Sequence, residues 1–155
     1  MKKFDARIVF LGKFFGIFAV LYALVEAMPL NALNEWIAGV EASVLGAQGA
    51  GNAVVLGGNF FLINNACSGL ISIALLAAAI FSFRKPEFRK KIHALGLGAL
   101  VLFPLNLARI FAVLLVGKEF GIEAAEIMHV ISWFVVSAAV IGSWHYLNFE
   151  KIEKL

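Results

Sequence analysis

The chain reads as an all-α integral membrane protein. About four transmembrane helices are expected, with an outward-facing amphipathic helix and a short β-hairpin just before a lone cysteine. Three observations predict this. Of the 155 residues, 62% are hydrophobic and only 15% are charged, whereas an ordinary soluble domain is roughly 45–50% apolar and about 25% charged. Apolar runs near the length needed to cross a bilayer, about 17–25 residues, recur along the chain. Lysine and arginine fall in short blocks between those runs. A single polytopic domain, 1–155, is expected at this length.

Four segments qualify as membrane-spanning: about 14–30, 67–83, 92–117 and 129–149. The first starts nearer Ile8 if Lys13 snorkels to the interface. All are expected to be helices, because an unpaired backbone does not cross lipid. The basic residues orient them. Lys2, Lys3, Arg7 and Lys13 precede or open the first segment, Arg84, Lys85, Arg89, Lys90 and Lys91 fill "RKPEFRKK", and Lys151 and Lys154 lie near the end. Between Lys13 and Arg84 there is no Lys or Arg at all. The positive-inside rule then puts both termini and "RKPEFRKK" in the cytoplasm of a multi-pass cell-membrane protein. The loops around 31–66 and 118–128 face outward. A basic start followed by an apolar stretch and "VEA" at Val25–Ala27 also loosely fits a cleaved signal peptide. Cleavage there would leave the remaining topology unchanged.

The first outer loop has its own pattern. "LNALNEWIAGVEASVLG" places Leu30, Leu33, Ile37, Val40 and Val44 on one helical face, with Asn34, Glu35 and Glu41 mostly elsewhere. This predicts an amphipathic helix at the outer interface, anchored by Trp36. "NAVVLGGNFFLIN" holds two β-prone runs around Gly57–Gly58–Asn59, a hairpin signal. It delivers the chain to "NNACSGL", which contains the one cysteine, Cys67.

Helix rise converts the topology into a depth scale. Cys67 stands seventeen residues from Arg84, roughly 26 Å above the cytoplasmic edge. Arg109 stands eighteen from Lys91, roughly 27 Å, and His129 twenty-one from Glu150, roughly 32 Å. Three polar groups on three segments thus reach nearly one level, at the outer boundary. Each has a plain alternative. A lone cysteine is often a small buried hydrophobe, or it pairs with another chain. A histidine at a helix start is often a surface or capping residue. An arginine near a helix end can snorkel. His93 and His145 fall near the cytoplasmic ends of their segments and cannot meet Cys67.

The chemistry open to the three is acyl transfer. A thiolate is the nucleophile, and a helix start favours an anion. His129 offers a base. Arg109 stays charged and donates several hydrogen bonds to a developing oxyanion. Asn64, Asn65, Ser68 and Asn106 are polar neighbours able to orient these groups or bind substrate, or else to cap helices and join them. No metal site is expected, since one cysteine and one outward histidine fall short of a zinc set. No cofactor is expected either, because "GAGNAVVLGG" lacks the lysine and spacing of a phosphate-binding loop. The net charge of +3 sits in membrane-flanking blocks, so no nucleic-acid partner is expected.

"ACSGL" at Ala66–Leu70, "NLARI" at Asn106–Ile110 and His129, in this order, resemble the exosortase/archaeosortase family of membrane cysteine transpeptidases. The resemblance covers roughly residues 50–145. It implies Cys67 as nucleophile, Arg109 as oxyanion or substrate-orienting residue, and His129 as general acid/base. It implies protein substrates bearing a C-terminal motif, a transmembrane helix and a basic cluster. Such substrates are cut near the motif through a Cys thioester and passed to a cell-surface acceptor, a lipid or a glycan. The chain is compact and has Ile71 where many bacterial members carry a basic residue, which points to an archaeosortase-like member. The alternative is a non-enzymatic scaffold or assembly subunit. In it Arg109 pairs with Glu26 or Glu126 and Cys67 merely packs.

Overall fold

The computed structural model describes residues 6–84 and 87–149. Lys2, Lys3, Lys85, Lys151 and Lys154, on which part of the topological reading rests, lie outside them. The element order is α1 (Ala6–Ala27), α2 (Asn31–Leu45), β1 (Gln48–Ala50), β2 (Ala53–Leu56), β3 (Asn59–Leu62), a 3-10 turn (Asn65–Cys67), α3 (Leu70–Ser82), α4 (Phe88–Phe120) and α5 (Ile122–Phe149).

Among the described residues three helices are long and apolar enough to span a bilayer: Arg7–Ala27, Phe88–Phe120 and Ile122–Gly142. The chain is therefore a membrane protein. The second expected segment, 67–83, is shorter than anticipated. Its helix α3 has 13 residues, about 20 Å of rise. Two local features shorten it. Asn65–Cys67 wind as a 3-10 turn, and Gly69, at φ 81°, breaks the backbone before α3 begins. Cys67 thus precedes the helix rather than opening it. The last helix differs in the other direction. It starts at Ile122, so His129 sits two turns inside it.

α3 is the central post. It buries Ile71, Ala74, Leu76, Ala77, Ala78 and Ile80 and packs on α1, α4 and α5. α4 runs 33 residues, about 50 Å, well beyond a hydrocarbon core of about 30 Å. It threads two apolar cores. One joins Leu76 and Ile80 of α3 to Ala94 and Leu102 of α4 and Val140 of α5. The other joins Ile37, Ala38, Ala42 and Leu45 of α2 to Val54 and Leu56 of β2 and Ile110 and Leu114 of α4. Asn106 and Arg109 lie on α4 between Leu102 and Ile110, at the seam of the two.

The hairpin forms where expected. β2 and β3 pair antiparallel with Leu56 opposite Asn59, so Gly57 and Gly58 make the whole turn. Both have positive φ, 57° and 82°, as a two-residue type I′ turn requires. A third strand, β1, pairs with β2. Its sequence, Gln-Gly-Ala, has no β-prone residue to announce it.

α2 forms, but with a rotated face. It buries Asn34, Ile37, Ala38, Glu41, Ala42 and Leu45, while Val44 is 67% exposed. Small alanines let α2 close on the sheet and α4, and that packing outweighs the stripe of larger residues. Trp36 stacks on Phe103 of α4, with ring centroids 6.3 Å apart, so it also packs on protein.

Two predictions follow from this packing. Glu41 is only 3% exposed, and burial pushes its carboxyl from the usual 4.5 up to about 7. The folded chain then holds this proton to higher pH than the unfolded chain does. Stability from this group is full below the unfolded value and is lost as pH rises through about 7, on the order of 3 kcal/mol in all. Thermal melts in detergent between pH 5 and pH 8 should fall with pH, and Glu41→Gln should flatten the fall. The second concerns Gly69, where a Cβ would lie 3.2 Å from three side-chain atoms of Asn106. Gly69→Ala adds that crowding to about 1–2 kcal/mol of left-handed strain, so its melting temperature should drop at every pH.

Candidate active site

The site is built where one turn of α4 meets one turn of α5. Helical spacing places Asn106 and Arg109, three apart, on one face of α4. The same rule puts His129, Ser132 and Trp133 on one face of α5. Arg109 is 6% exposed, and three side chains meet its guanidinium. Nε donates to Ser132 Oγ at 2.9 Å. Nη1 donates to Asn106 Oδ1 at 3.3 Å. Nη2 lies 3.3 Å from each ring nitrogen of His129. The Trp133 ring lies beneath the guanidinium, its centroid 4.4 Å from Cζ, a cation–π contact.

None of these partners is a carboxylate, and among the described residues Arg109 forms no ion pair with Glu26 or Glu126. Its charge is held by dipoles and a π face. The fork stays available to an incoming negative charge in a way that a salt-bridged arginine does not.

His129 is fixed as firmly. Trp133 Nε1 donates to His129 Nε2 at 3.2 Å. An indole N–H only donates, so Nε2 accepts from Trp133. Ser132 completes the turn by donating its hydroxyl to the His129 carbonyl at 2.7 Å, which aims its lone pair at Arg109.

The cysteine arm joins through Asn106, which is fully buried. Its Nδ2 donates to the Cys67 carbonyl at 2.6 Å, while its Oδ1 accepts from Arg109. One amide thus ties the cysteine turn to the arginine. Cys67 is a free, half-buried thiol. It lines a cavity of about 510 Å³ together with Arg109, His129, Asn64, Glu126 and the strand β3.

The structure brings Cys67, Arg109, His129 and Asn64 to that one cavity and sets the other expected polar residues behind it. Asn65 Nδ2 faces the carbonyls of Val25, Glu26 and Met28 at 3.1–3.2 Å, closing the end of α1. Its Oδ1 accepts from Asn34 at 3.0 Å. Ser68 Oγ donates to the Asn65 carbonyl at 2.7 Å and accepts from the Leu70 N–H. For Asn65, Ser68 and Asn106, capping and interhelical bonding is the role observed. Sequence reasoning missed Ser132, Trp133 and Asn34. The first two carry a usable signal, at three and four residues from His129 on a helix. Asn34 carries none, because its partner is 31 residues away.

Comparison with known proteins bears on the same residues. The family model described as Transmembrane exosortase matches residues 5–144, a span that includes every side chain just described. Comparisons with curated proteins and with solved structures found no match. A match over nearly the whole chain settles membership: this protein belongs to the transmembrane exosortase family.

Proposed function

We infer that the chain has a membrane transpeptidase-type role on protein substrates, a reading supported by its membership of this family. We propose that the chain is a cysteine peptidase/transpeptidase that cuts the C-terminal sorting signals of surface proteins. The observation that carries this reading is the convergence of a thiol, an imidazole and a guanidinium with no carboxylate partner among the described residues on one cavity.

In the proposed reaction His129 takes the Cys67 proton, and the thiolate attacks the scissile carbonyl carbon. The carbonyl oxygen becomes an oxyanion facing Arg109. His129 returns the proton to the leaving amine as the C–N bond breaks, and a thioester remains on Cys67. A nucleophile on a lipid or glycan acceptor gives its proton to His129 and attacks the thioester, which frees the thiolate. Water in place of the acceptor gives hydrolysis. The substrate is a protein with a short motif, a transmembrane helix and a basic cluster at its C-terminus. Both termini of the enzyme lie in the cytoplasm, and the cavity opens outward. The scaffold alternative loses its main support, because Arg109 pairs with neither acidic candidate among the described residues.

Three experiments test this. In cells, Cys67→Ser should leave sorting-signal proteins uncleaved. In intact cells a membrane-impermeant alkylating reagent should label Cys67 near neutral pH, and His129→Ala should slow that labelling. Labelling only above about pH 8.5, indifferent to His129, would mark an ordinary thiol and return the chain to the scaffold reading. Arg109→Lys keeps the charge but gives up the planar fork that meets Ser132, Asn106 and His129 together. Cleavage by that variant should fall by about 10²–10³-fold, the usual cost of losing an oxyanion donor.

A further inference from the structure

We propose that β3 is the docking strand for the extended substrate segment that carries the scissile bond. This rests on the peptidase reading above. β3 is at the edge of the sheet, whose order is β1-β2-β3. Its register sets Phe61 opposite Val54 and Asn59 opposite Leu56, and the Ile63 N–H donates to the Asn52 carbonyl at 2.8 Å. In an antiparallel pair, bonded and non-bonded residue pairs alternate. Residues 59, 61 and 63 therefore turn their N–H and C=O groups toward β2, and Phe60 and Leu62 turn theirs off the sheet. Among the described residues nothing pairs with that edge.

The edge fronts the reaction cavity. Phe60, Phe61, Leu62, Ile63 and Asn64 all line it, followed by Ala66 and Cys67. A strand lining a cavity with one face would supply alternate residues only. A consecutive run means that the strand stands edge-on. Phe61 points back into the protein, where a Cβ on Gly117 would come within 2.7 Å of its ring. Phe60 and Leu62 are 69% and 62% exposed.

The chemistry of this edge selects its occupant. Free N–H and C=O groups in alternation match an extended peptide backbone, as in strand addition. A lipid chain has no groups to pair with them, and a helix has already used its own. The strand runs into the cysteine turn within five residues of Leu62, so a peptide laid along β3 lies on the wall that holds the thiol. The remaining lining is largely apolar, with Glu126 its one carboxylate. It therefore suits a peptide of mainly apolar side chains.

The test uses the full chain in membranes and, as probe, the surface protein that stays uncleaved in Cys67→Ala cells. Leu62→Pro removes an N–H directed off the sheet and costs no bond to β2. Leu62→Ala keeps that N–H and loses only the side chain. Leu62→Pro should slow cleavage by up to about tenfold, through KM, as expected for one lost hydrogen bond, and Leu62→Ala should not. Both should keep wild-type Cys67 alkylation, which reports an intact site. Equal cleavage by the two variants would overturn β3 docking and leave the peptidase reading standing. Normal processing in Cys67→Ala cells would remove the peptidase reading and this inference with it. If Leu62→Pro loses alkylation, a benzoylphenylalanine crosslinker at Phe60 in the Cys67→Ala chain decides. Crosslinks to the probe's cleavage motif support docking, and crosslinks to lipid alone overturn it.

Discussion

A buried guanidinium sets the terms for the rest of this molecule. Desolvating a charge costs several kcal/mol unless its donors are met, and Arg109 is met by Ser132, Asn106 and His129, with Trp133 beneath. Each partner is then committed. Ser132 spends its hydrogen on the His129 carbonyl, and Asn106 spends its amide on Cys67. The cysteine turn, the middle of α4 and the N-terminal half of α5 are locked together by a requirement that originates in one side chain. Removing any one of them leaves a buried polar group unpaired, which costs more than the lost bond itself.

The two-core arrangement explains why this network can exist inside so apolar a protein. One core gathers around α3 and the other around α2 and the sheet. Polar groups at the seam between them need not displace apolar packing from either. α4 belongs to both and carries Asn106 and Arg109 across the gap. Asn65 fastens the third side by binding carbonyls at and just beyond the end of α1. Most of the polar residues in this region hold backbone, and that frees Cys67, Arg109 and His129 to face open space.

Much of this was legible in the sequence because membrane physics is one-dimensional. Apolar length announced the long helices, and the three residues singled out on separate segments, Cys67, Arg109 and His129, line one cavity. The Gly57–Gly58 turn was legible because both positions need a positive φ that glycine supplies at no cost. What was hidden depended on which way helices turn. The face of α2 was misjudged because alanines at 38 and 42 pack closely where larger residues were expected to lead. The break at Gly69 was missed because an apolar run does not reveal where its first hydrogen bonds begin. Trp133 and Ser132 were overlooked although both stand on the face of His129.

Trp133 gives the site a property of another kind. Its N–H is bonded to His129 Nε2, so a proton placed on that nitrogen must evict the indole from its acceptor. An indole that loses a hydrogen bond while an imidazolium forms beside it changes its fluorescence. The chain holds three tryptophans in all, and this one lies against both Arg109 and His129. The molecule therefore carries an intrinsic optical gauge of the protonation state of its own site, readable in the unlabelled protein.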